Sequence, residues 1–475
     1  MAENETSQPI ELLVAVARNG TGTLGAQIEQ QVRGAIREGA LRPGTRLPST
    51  RDLARQLGVS RRIAVDAYAQ LAAEGYLALR QGARPRVSDA TALTRSPERE
   101  PPRPALLPRF DFRPSLPDVS TFPRAAWLRS LRRALASMTD PDLVLTDPRG
   151  VDPLRAGLAD YLGRVRGVVA DPARVMVTCG YSQGLGLVCH ALHASGARRI
   201  AVEHPSNPEY REIASRAGLE VVSIAVDECG IRIDELERAD VDAVAVTPAH
   251  QDPTGVVLTS ERRTALVSWL RARKAIAIED DYDAEYRYDR AAVGALQGLE
   301  PDRVVYAGSA SKILAPALRL GWLVLPSSLV DAVCDEKVLA DRATASIEQH
   351  ALADFLTRGE LDRHLRRMRI VYRARRDAIV EALAKELPEA RVRGIAAGLH
   401  VNVQLPASDD ERAIRDESYR RGIQFSTMLG EYAPYADDAL PTLMLGYARM
   451  PEPAIRIGVH ELASAILATR ERVSR

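Results

Sequence analysis

Lysine is almost missing from this chain: of 64 basic residues in 475 only four are lysine, at positions 274, 312, 337 and 385. Cysteine is as scarce. Cys179, Cys189, Cys229 and Cys334 form no close pair and no metal-type spacing, which argues against a disulfide framework or a thiolate metal site and fits scattered thiols of a reducing compartment. Net charge is thin as well, +1 from 64 basic and 63 acidic residues, so a nucleic-acid partner can be signalled only locally. No apolar run is long enough to cross a bilayer, and the apolar stretch 10–17 is short and has no basic leader. With 46% hydrophobic and 27% charged residues, the chain is expected to be cytoplasmic, with no membrane partner. Its length suggests roughly two to four folding units.

The local charge lies between residues 41 and 90. Arg42, Arg46, Arg51, Arg55, Arg61, Arg62, Arg80, Arg84 and Arg86 face only Asp52, Asp66, Glu74 and Asp89. Leu24, Ile28, Val32 and Ile36 recur on one helical face, and Gly39 and Pro43-Gly44 end that helix. Ser49 opens a second helix, with Asp52 at the third position of a capping box, Leu53 and Leu57 inward and Gly58 closing it. Ser60 caps a third, with Ile63, Ala67, Tyr68 and Leu71 on its buried side. Two short helices joined by Leu-Gly-Val-Ser make a helix-turn-helix whose second member leads with Arg61 and Arg62. A hairpin-like wing over 76–87, tipped with arginine, follows. A basic three-helix module with no DNA role would share this spacing.

Residues 88–109 are polar and carry Pro97, Pro101, Pro102, Pro104 and Pro108, which reads as a semi-stiff tether. Beyond it, apolar runs at 174–178, 199–203, 221–225, 243–247, 275–278 and 304–306 alternate with helical segments such as 260–273. That alternation predicts a mostly parallel sheet covered on both faces, with ligands outside the strand ends. From about 327 the pattern is helix-rich to 387, then gives short strands near 400–405 and a last helix at about 452–470.

Lys312 lies among small and apolar residues just after the run 304–307, whereas the other three lysines have charged neighbours. Such surroundings lower an amine's pKa and favour the nucleophile that makes a Schiff base, although a structural lysine snorkelling from a buried turn fits the same composition. Ser309, Ser311 and Arg319 beside it suit a phosphate monoester. Gly180-Tyr181-Ser182 follows one strand and opens a helix, a weak phosphate-cradle pattern on its own. Glu279-Asp280-Asp281-Tyr282-Asp283 follows another strand. Its acids suit a protonated pyridine nitrogen, a divalent cation or a capped helix start, and Tyr282 could bond a ring hydroxyl. The segment 250–255 is a tight turn, and His190 and His193 share a helix face without a third metal ligand, so no metal site is expected.

Two resemblances account for these features together. The stretch Leu-Arg-Pro-Gly-Thr-Arg-Leu-Pro-Ser-Thr-Arg-Asp-Leu-Ala, then Leu-Gly-Val-Ser-Arg, then Ala-Tyr-Ala-Gln-Leu-Ala-Ala-Glu-Gly-Tyr-Leu, resembles the winged helix of GntR-type regulators. It departs from that family at Ile63 and at Arg84-Pro85-Arg86 of the wing. From about Phe110 onward the chain resembles fold type I pyridoxal-phosphate enzymes, the aspartate aminotransferase superfamily. The fused layout, with Thr-Pro-Ala-His-Gln-Asp-Pro-Thr-Gly, Glu-Asp-Asp-Tyr-Asp and Leu-Arg-Leu-Gly, is similar to MocR-type regulators.

The resemblance implies an α+β winged helix-turn-helix domain (12–88), a linker (89–109) and an α/β aminotransferase fold type I body (110–475). The body would comprise a large part (about 110–326) and a smaller C-terminal subdomain (about 327–475). Double-stranded operator DNA would be met by Arg46, Ser49, Thr50, Arg51, Ser60, Arg61, Arg62, Arg80, Gly82, Arg84 and Arg86. Pyridoxal 5'-phosphate would be held by Lys312 as Schiff-base lysine, Asp280 at the ring nitrogen, Tyr282 and Asp252 at the ring oxygen side, and Gly180, Tyr181, Ser182, Ser309, Ser311 and Arg319 at the phosphate. A homodimer is implied.

Four departures fall on substrate handling. Asp252 stands where aminotransferases have asparagine, Ser206-Asn207 where an aromatic is expected, Leu145 where a tyrosine often reaches a partner's phosphate, and 443–446 lacks a carboxylate-binding arginine, with Arg449 nearby. The expected function is therefore a regulator sensing pyridoxal phosphate, an amino acid or an amine, with a vestigial aminotransferase-like body capable at most of partial transamination. The alternatives are an active aminotransferase with a basic N-terminal extension and a body that has lost its cofactor.

Overall fold

Thr23, Ser49 and Ser60 each end an extended segment and start a helix. Their side-chain oxygens accept from the N–H groups of Ala26, Asp52 and Ile63, so the helices Leu24–Arg37, Thr50–Leu57 and Arg61–Ala73 begin where the caps stand. Gly58, at φ 65°, closes the second helix in the left-handed region and lets the Val59 N–H reach the Ala54 carbonyl at 3.0 Å. Ile28, Val32, Ile36, Leu53, Ala64, Tyr68, Leu71, Leu77 and Val87 form the core, with Leu57 and Ile63 half-buried at its edge rather than inside it. Truncating one of these core leucines to alanine costs about 2–5 kcal/mol.

The wing pairs Leu77–Ala78 antiparallel to Arg86–Val87. Residues 45–47 add to its other side, where the Leu47 N–H donates to the Pro85 carbonyl at 2.8 Å and the Val87 N–H to the Thr45 carbonyl at 2.9 Å. Proline fits here because the ladder takes its carbonyl, the one backbone hydrogen-bonding group it has.

These coordinates form a computed structural model that describes residues 14–18, 22–89, 108–144, 147–288, 293–432 and 440–473. The chain divides into two units, Met1–Ala105 and Leu106–Arg475. Most of the proline-rich tether, and Leu145, lie outside the described residues.

The second unit is built on an eight-stranded sheet. Its order is Val175–Thr178, Gly321–Val324, Val304–Ser309, Ile276–Asp280, Ala243–Val246, Arg199–His204, Glu220–Asp227 and Gly230–Ile231. The six apolar runs read from the sequence are all strands in it, and neighbours from Val304–Ser309 to Glu220–Asp227 pair in parallel. Gly321–Val324 was not foreseen and runs antiparallel to both neighbours. Side chains alternate between two apolar layers: Val175, Val177, Tyr306 and Trp322 enter one, and Met176, Val305, Ala307 and Leu323 the other.

Helices Val330–Ala340, Ser346–Thr357 and Glu360–Glu386 follow. A four-stranded antiparallel sheet is ordered Arg391–Arg393, His400–Gln404, Thr442–Gly446, Ser426–Thr427, and Glu452–Val473 ends the fold. Phe110–Asp111 pairs in parallel with Ile423–Gln424, so the body's first strand joins its C-terminal part.

Candidate functional site

The acidic run 279–283 is where the strand Ile276–Asp280 ends, and no helix starts there. Each of its acids but one is committed to the scaffold. Glu279 accepts from the Leu296 and Gln297 N–H groups at 2.8 and 2.9 Å. Asp281 takes a fork from Arg166 at 2.7 and 3.1 Å, with side chains 2% and 0% exposed, and a hydroxyl from Tyr306 at 2.8 Å. Asp283 lies 3.0 Å from His250 Nδ1. Burial alone would lower the His250 pKa, and the Asp283 charge and hydrogen bond outweigh it and raise it. Asp280 is left to face a cavity. Among the described residues no three His, Cys, Asp or Glu side chains are placed to hold a metal.

That cavity, of about 220 Å³, gathers nine of the ten residues named for the cofactor: Tyr181, Ser182, Asp252, Asp280, Tyr282, Ser309, Ser311, Lys312 and Arg319. The tenth, Gly180, has a spatial role. At φ 113° it precedes the helix Tyr181–Ala194, and a Cβ on it would stand 3.3 Å from the Arg319 guanidinium. Glycine therefore lets Arg319 reach the helix start, and no side chain caps the first N–H groups there. Ser309 accepts from the Ser311 N–H at 3.1 Å and donates to its hydroxyl at 2.9 Å. The result is one guanidinium, two hydroxyls and an open helix N-terminus, the donor set of a phosphate cup.

In the same cavity, Lys312 Nζ donates to the Ser115 carbonyl at 2.6 Å. Burial lowers its pKa against the pull of Asp252, Asp283 and Asp280. Burial pushes the Asp280 carboxyl up to about 8, although the Tyr210 hydroxyl, donating at 2.7 Å, works the other way. Burial likewise raises Asp252 to about 6, with Lys312 opposing, and among the described residues Asp252 Oδ1 has no hydrogen-bond partner. The Tyr282 hydroxyl lies 3.1 Å from His250 Nδ1.

Ser115, Asn207, Glu209, Tyr210 and Tyr432 also line the cavity and were missed from the sequence. Ser115 acts through a backbone carbonyl, which leaves no trace in residue type. Tyr210 had a signal. No aromatic stands at 206–207, but Tyr210 follows Asn207 by three residues on the helix Pro208–Arg216, and its ring lies 4.9 Å from that of Tyr181. Arg449 is held by Asp111 and does not line the cavity. His190 is exposed. Lys337, despite charged neighbours in sequence, is fully buried, with both Asp341 oxygens at 2.9 Å and the Thr344 hydroxyl at 3.0 Å.

In the first unit Arg46, Arg51, Arg61, Arg62, Arg80, Arg84 and Arg86 are all exposed. The Arg62–Asp66 pair, at 3.7 Å with side chains 91% and 70% exposed, adds little and leaves the guanidinium accessible. Thr50 opens its helix, half-buried beside the Ser49 cap. Ser49 and Ser60 spend an oxygen on capping, and the Ser49 hydroxyl donates to Asp52 at 2.6 Å, so the shorter acid bonds the cap's side chain. Gly82, at φ 78°, sits in the wing turn closed by the Ala83 N–H on the Arg80 carbonyl at 3.1 Å. By contrast, Arg33 forks onto Glu74 at 2.9 Å and Arg37 bonds the Tyr76 hydroxyl at 2.8 Å, which ties both to the fold. No helix among the described residues is long and apolar enough to cross a membrane.

Comparison with known proteins fits both halves. The chain matches the family "Bacterial regulatory proteins, gntR family" over residues 24–87 and "Aminotransferase class I and II" over 117–421. The HTH-type pyridoxine biosynthesis transcriptional regulator PdxR of Corynebacterium glutamicum is 35% identical over 393 residues, covering 82% of this chain and 85% of that protein. The probable rhizopine catabolism regulatory protein MocR of Rhizobium meliloti is 30% identical over 486 residues, covering 96% of each. Among solved structures, the multiple substrate aminotransferase of Thermococcus profundus superposes with a TM-score of 0.69 at 25% identity, over 76% of this chain and 92% of that one. An exposed-arginine winged helix, an aminotransferase fold type I body and regulators related along nearly the whole length lead to one conclusion: the chain belongs to the MocR-type GntR transcriptional regulators.

Proposed function

We propose that this regulator binds operator DNA through its winged helix and holds pyridoxal 5'-phosphate at Lys312, the vitamer or an amine that reacts with it being the signal. The observation that carries the reading is one cavity lined by a lysine whose pKa burial lowers, a buried aspartate and the donors of a phosphate-type cup. The residues fit the group: Arg319, Ser309, Ser311 and the start of the helix Tyr181–Ala194 for the phosphate, Asp280 for the ring nitrogen, and Tyr282 for the opposite edge. When bound, the vitamer supplies a reactive carbonyl and an electron-accepting ring.

The chain's own part is to lower the Lys312 pKa by burial, to keep Asp280 near the ring nitrogen and to anchor the phosphate. Tyr210 steadies the Asp280 carboxylate through its 2.7 Å bond. Lys312 gives up the Ser115 carbonyl when its nitrogen is used elsewhere. Signalling requires unequal binding to two arrangements of the protein.

Sensing is favoured over turnover because the cations lining the cavity are Lys312 and Arg319, which leaves no second guanidinium for a substrate carboxylate among the described residues. The relative named as a pyridoxine biosynthesis regulator points the same way. A homodimer and a cytoplasmic setting complete the proposal. The test is vitamer-dependent absorbance, borohydride reduction with peptide mapping, and operator gel shift with and without vitamer. Label on Lys312 and a vitamer-dependent shift are expected. A label elsewhere, or sustained transamination over many turnovers with a common amino donor, overturns the reading.

A further inference from the structure

The charges around the cavity do not balance once the cofactor's needs are met. Its walls carry Glu209, Asp252 and Asp280 against Lys312 and Arg319. In the functional reading above, on which this inference rests, Arg319 answers the phosphate, Asp280 the ring nitrogen and Lys312 the carbonyl. Two acids remain. Glu209 is exposed at the rim, while Asp252 is 7% exposed, and its Oδ1 meets no donor among the described residues, although its own N–H reaches the Thr247 hydroxyl at 3.1 Å. A buried acceptor without a donor is costly, and a carboxylate more so than the amide that aminotransferases place at this turn.

The anion-binding side is equally plain. Arg449 is engaged by Asp111, and Arg375 by Asp118 at 2.9 Å. An incoming carboxylate would find Asp252 and Glu209 instead. The rings of Tyr181, Tyr210 and Tyr432, which share the cavity, favour a cation over an anion.

We propose that Asp252 is a cation subsite and that the effector is a small amine bearing a second positive charge, of the diamine class, rather than an α- or ω-amino acid. One amine nitrogen of the ligand would take the place of the Lys312 nitrogen in a carbon–nitrogen double bond to the cofactor's carbonyl carbon. The two hydrogens lost from the entering amine nitrogen would end on the released Lys312 amine, and no oxidant or reductant takes part. The second ammonium donates to Asp252 Oδ1.

The experiment uses the full chain loaded with pyridoxal phosphate. Absorbance is titrated with butane-1,4-diamine, butan-1-amine and 4-aminobutanoate at one pH and ionic strength. The diamine is expected to half-saturate at a concentration lower than the monoamine by about tenfold or more, as a charge-assisted bond implies, with the amino acid weakest. In Asp252→Asn the diamine-to-monoamine ratio should fall toward one. Reading the ratio within each variant cancels any change in cofactor hold, and the wild-type ranking stands as a test even if the variant does not fold.

A flat wild-type ratio, a tighter amino acid, or an Asp252→Asn variant with an unchanged ratio overturns the subsite. An unchanged ratio with a shifted cofactor spectrum would assign Asp252 to the ring oxygen instead. A wild-type chain with no vitamer-dependent absorbance and no label on Lys312 defeats the functional reading itself, and is told apart by that.

Discussion

Replacing Asp280 with asparagine should stabilise the vitamer-free protein while weakening its hold on the vitamer. Asp280 is 3% exposed, and burial lifts its carboxyl from the usual 3.8 to about 8. A carboxyl raised in the folded state binds its proton more tightly there than in the unfolded chain. Its stabilising share is complete below pH 4, drains as pH rises and is gone above pH 8. At about 1.4 kcal/mol per pH unit the ceiling is roughly 6 kcal/mol. Water in the cavity and the Lys312 charge reduce it, and we expect about 2–4 kcal/mol to survive. Asparagine keeps an acceptor for the Tyr210 hydroxyl but has no charge to desolvate. The stability gap between Asp280→Asn and wild type should therefore widen by about 2–4 kcal/mol between pH 5 and pH 9 in denaturant unfolding of the vitamer-free protein. A gap that stays constant or narrows refutes the burial argument. Vitamer affinity should move the opposite way, as expected where a site stores instability for function.

Arg61→Ala should weaken operator binding by about 1–3 kcal/mol at fixed salt and leave cofactor absorbance alone; unchanged affinity would misplace the recognition helix. Arg166→Met leaves Asp281 buried without its cation and should cost about 3–5 kcal/mol in unfolding, much of it recovered by also replacing Asp281 with asparagine. Tyr210→Phe removes a hydrogen bond that lowers the Asp280 pKa, so the midpoint of vitamer uptake against pH should move upward; a midpoint that stays or falls contradicts the 2.7 Å contact.

What could be read from the sequence was whatever residue type and spacing encode. The serine caps, the glycine stop at Gly58 and the six apolar runs announce helices and strands because caps and burial are local. The run 279–283 announces chemistry but not its division of labour. Adjacent positions on a strand end point to opposite faces, and only the fold reveals that Asp281 meets Arg166 while Asp280 meets the cavity. Tyr210 was overlooked because the search for an aromatic stopped at 206–207, one helical turn short. Ser115 could not have been found at all, since a carbonyl carries no side-chain signature.

The scarcity of lysine takes on a different meaning once Lys337 and Lys312 are compared. Lys337 is fully buried and Lys312 half-buried, so depth of burial does not mark out the reactive lysine. Their partners do. Lys337 has a carboxylate at 2.9 Å as its partner, whereas Lys312 bonds a neutral carbonyl, and the acids around it act on it only through space. At Arg166 and Arg263 the chain buries arginine instead, whose forks bind several acceptors and cannot be deprotonated. At 312 that same property would be disabling, because a guanidinium held charged has no lone pair to offer a carbonyl. A chain that defaults to arginine yet keeps lysine here keeps the one cationic side chain that burial can turn into a nucleophile.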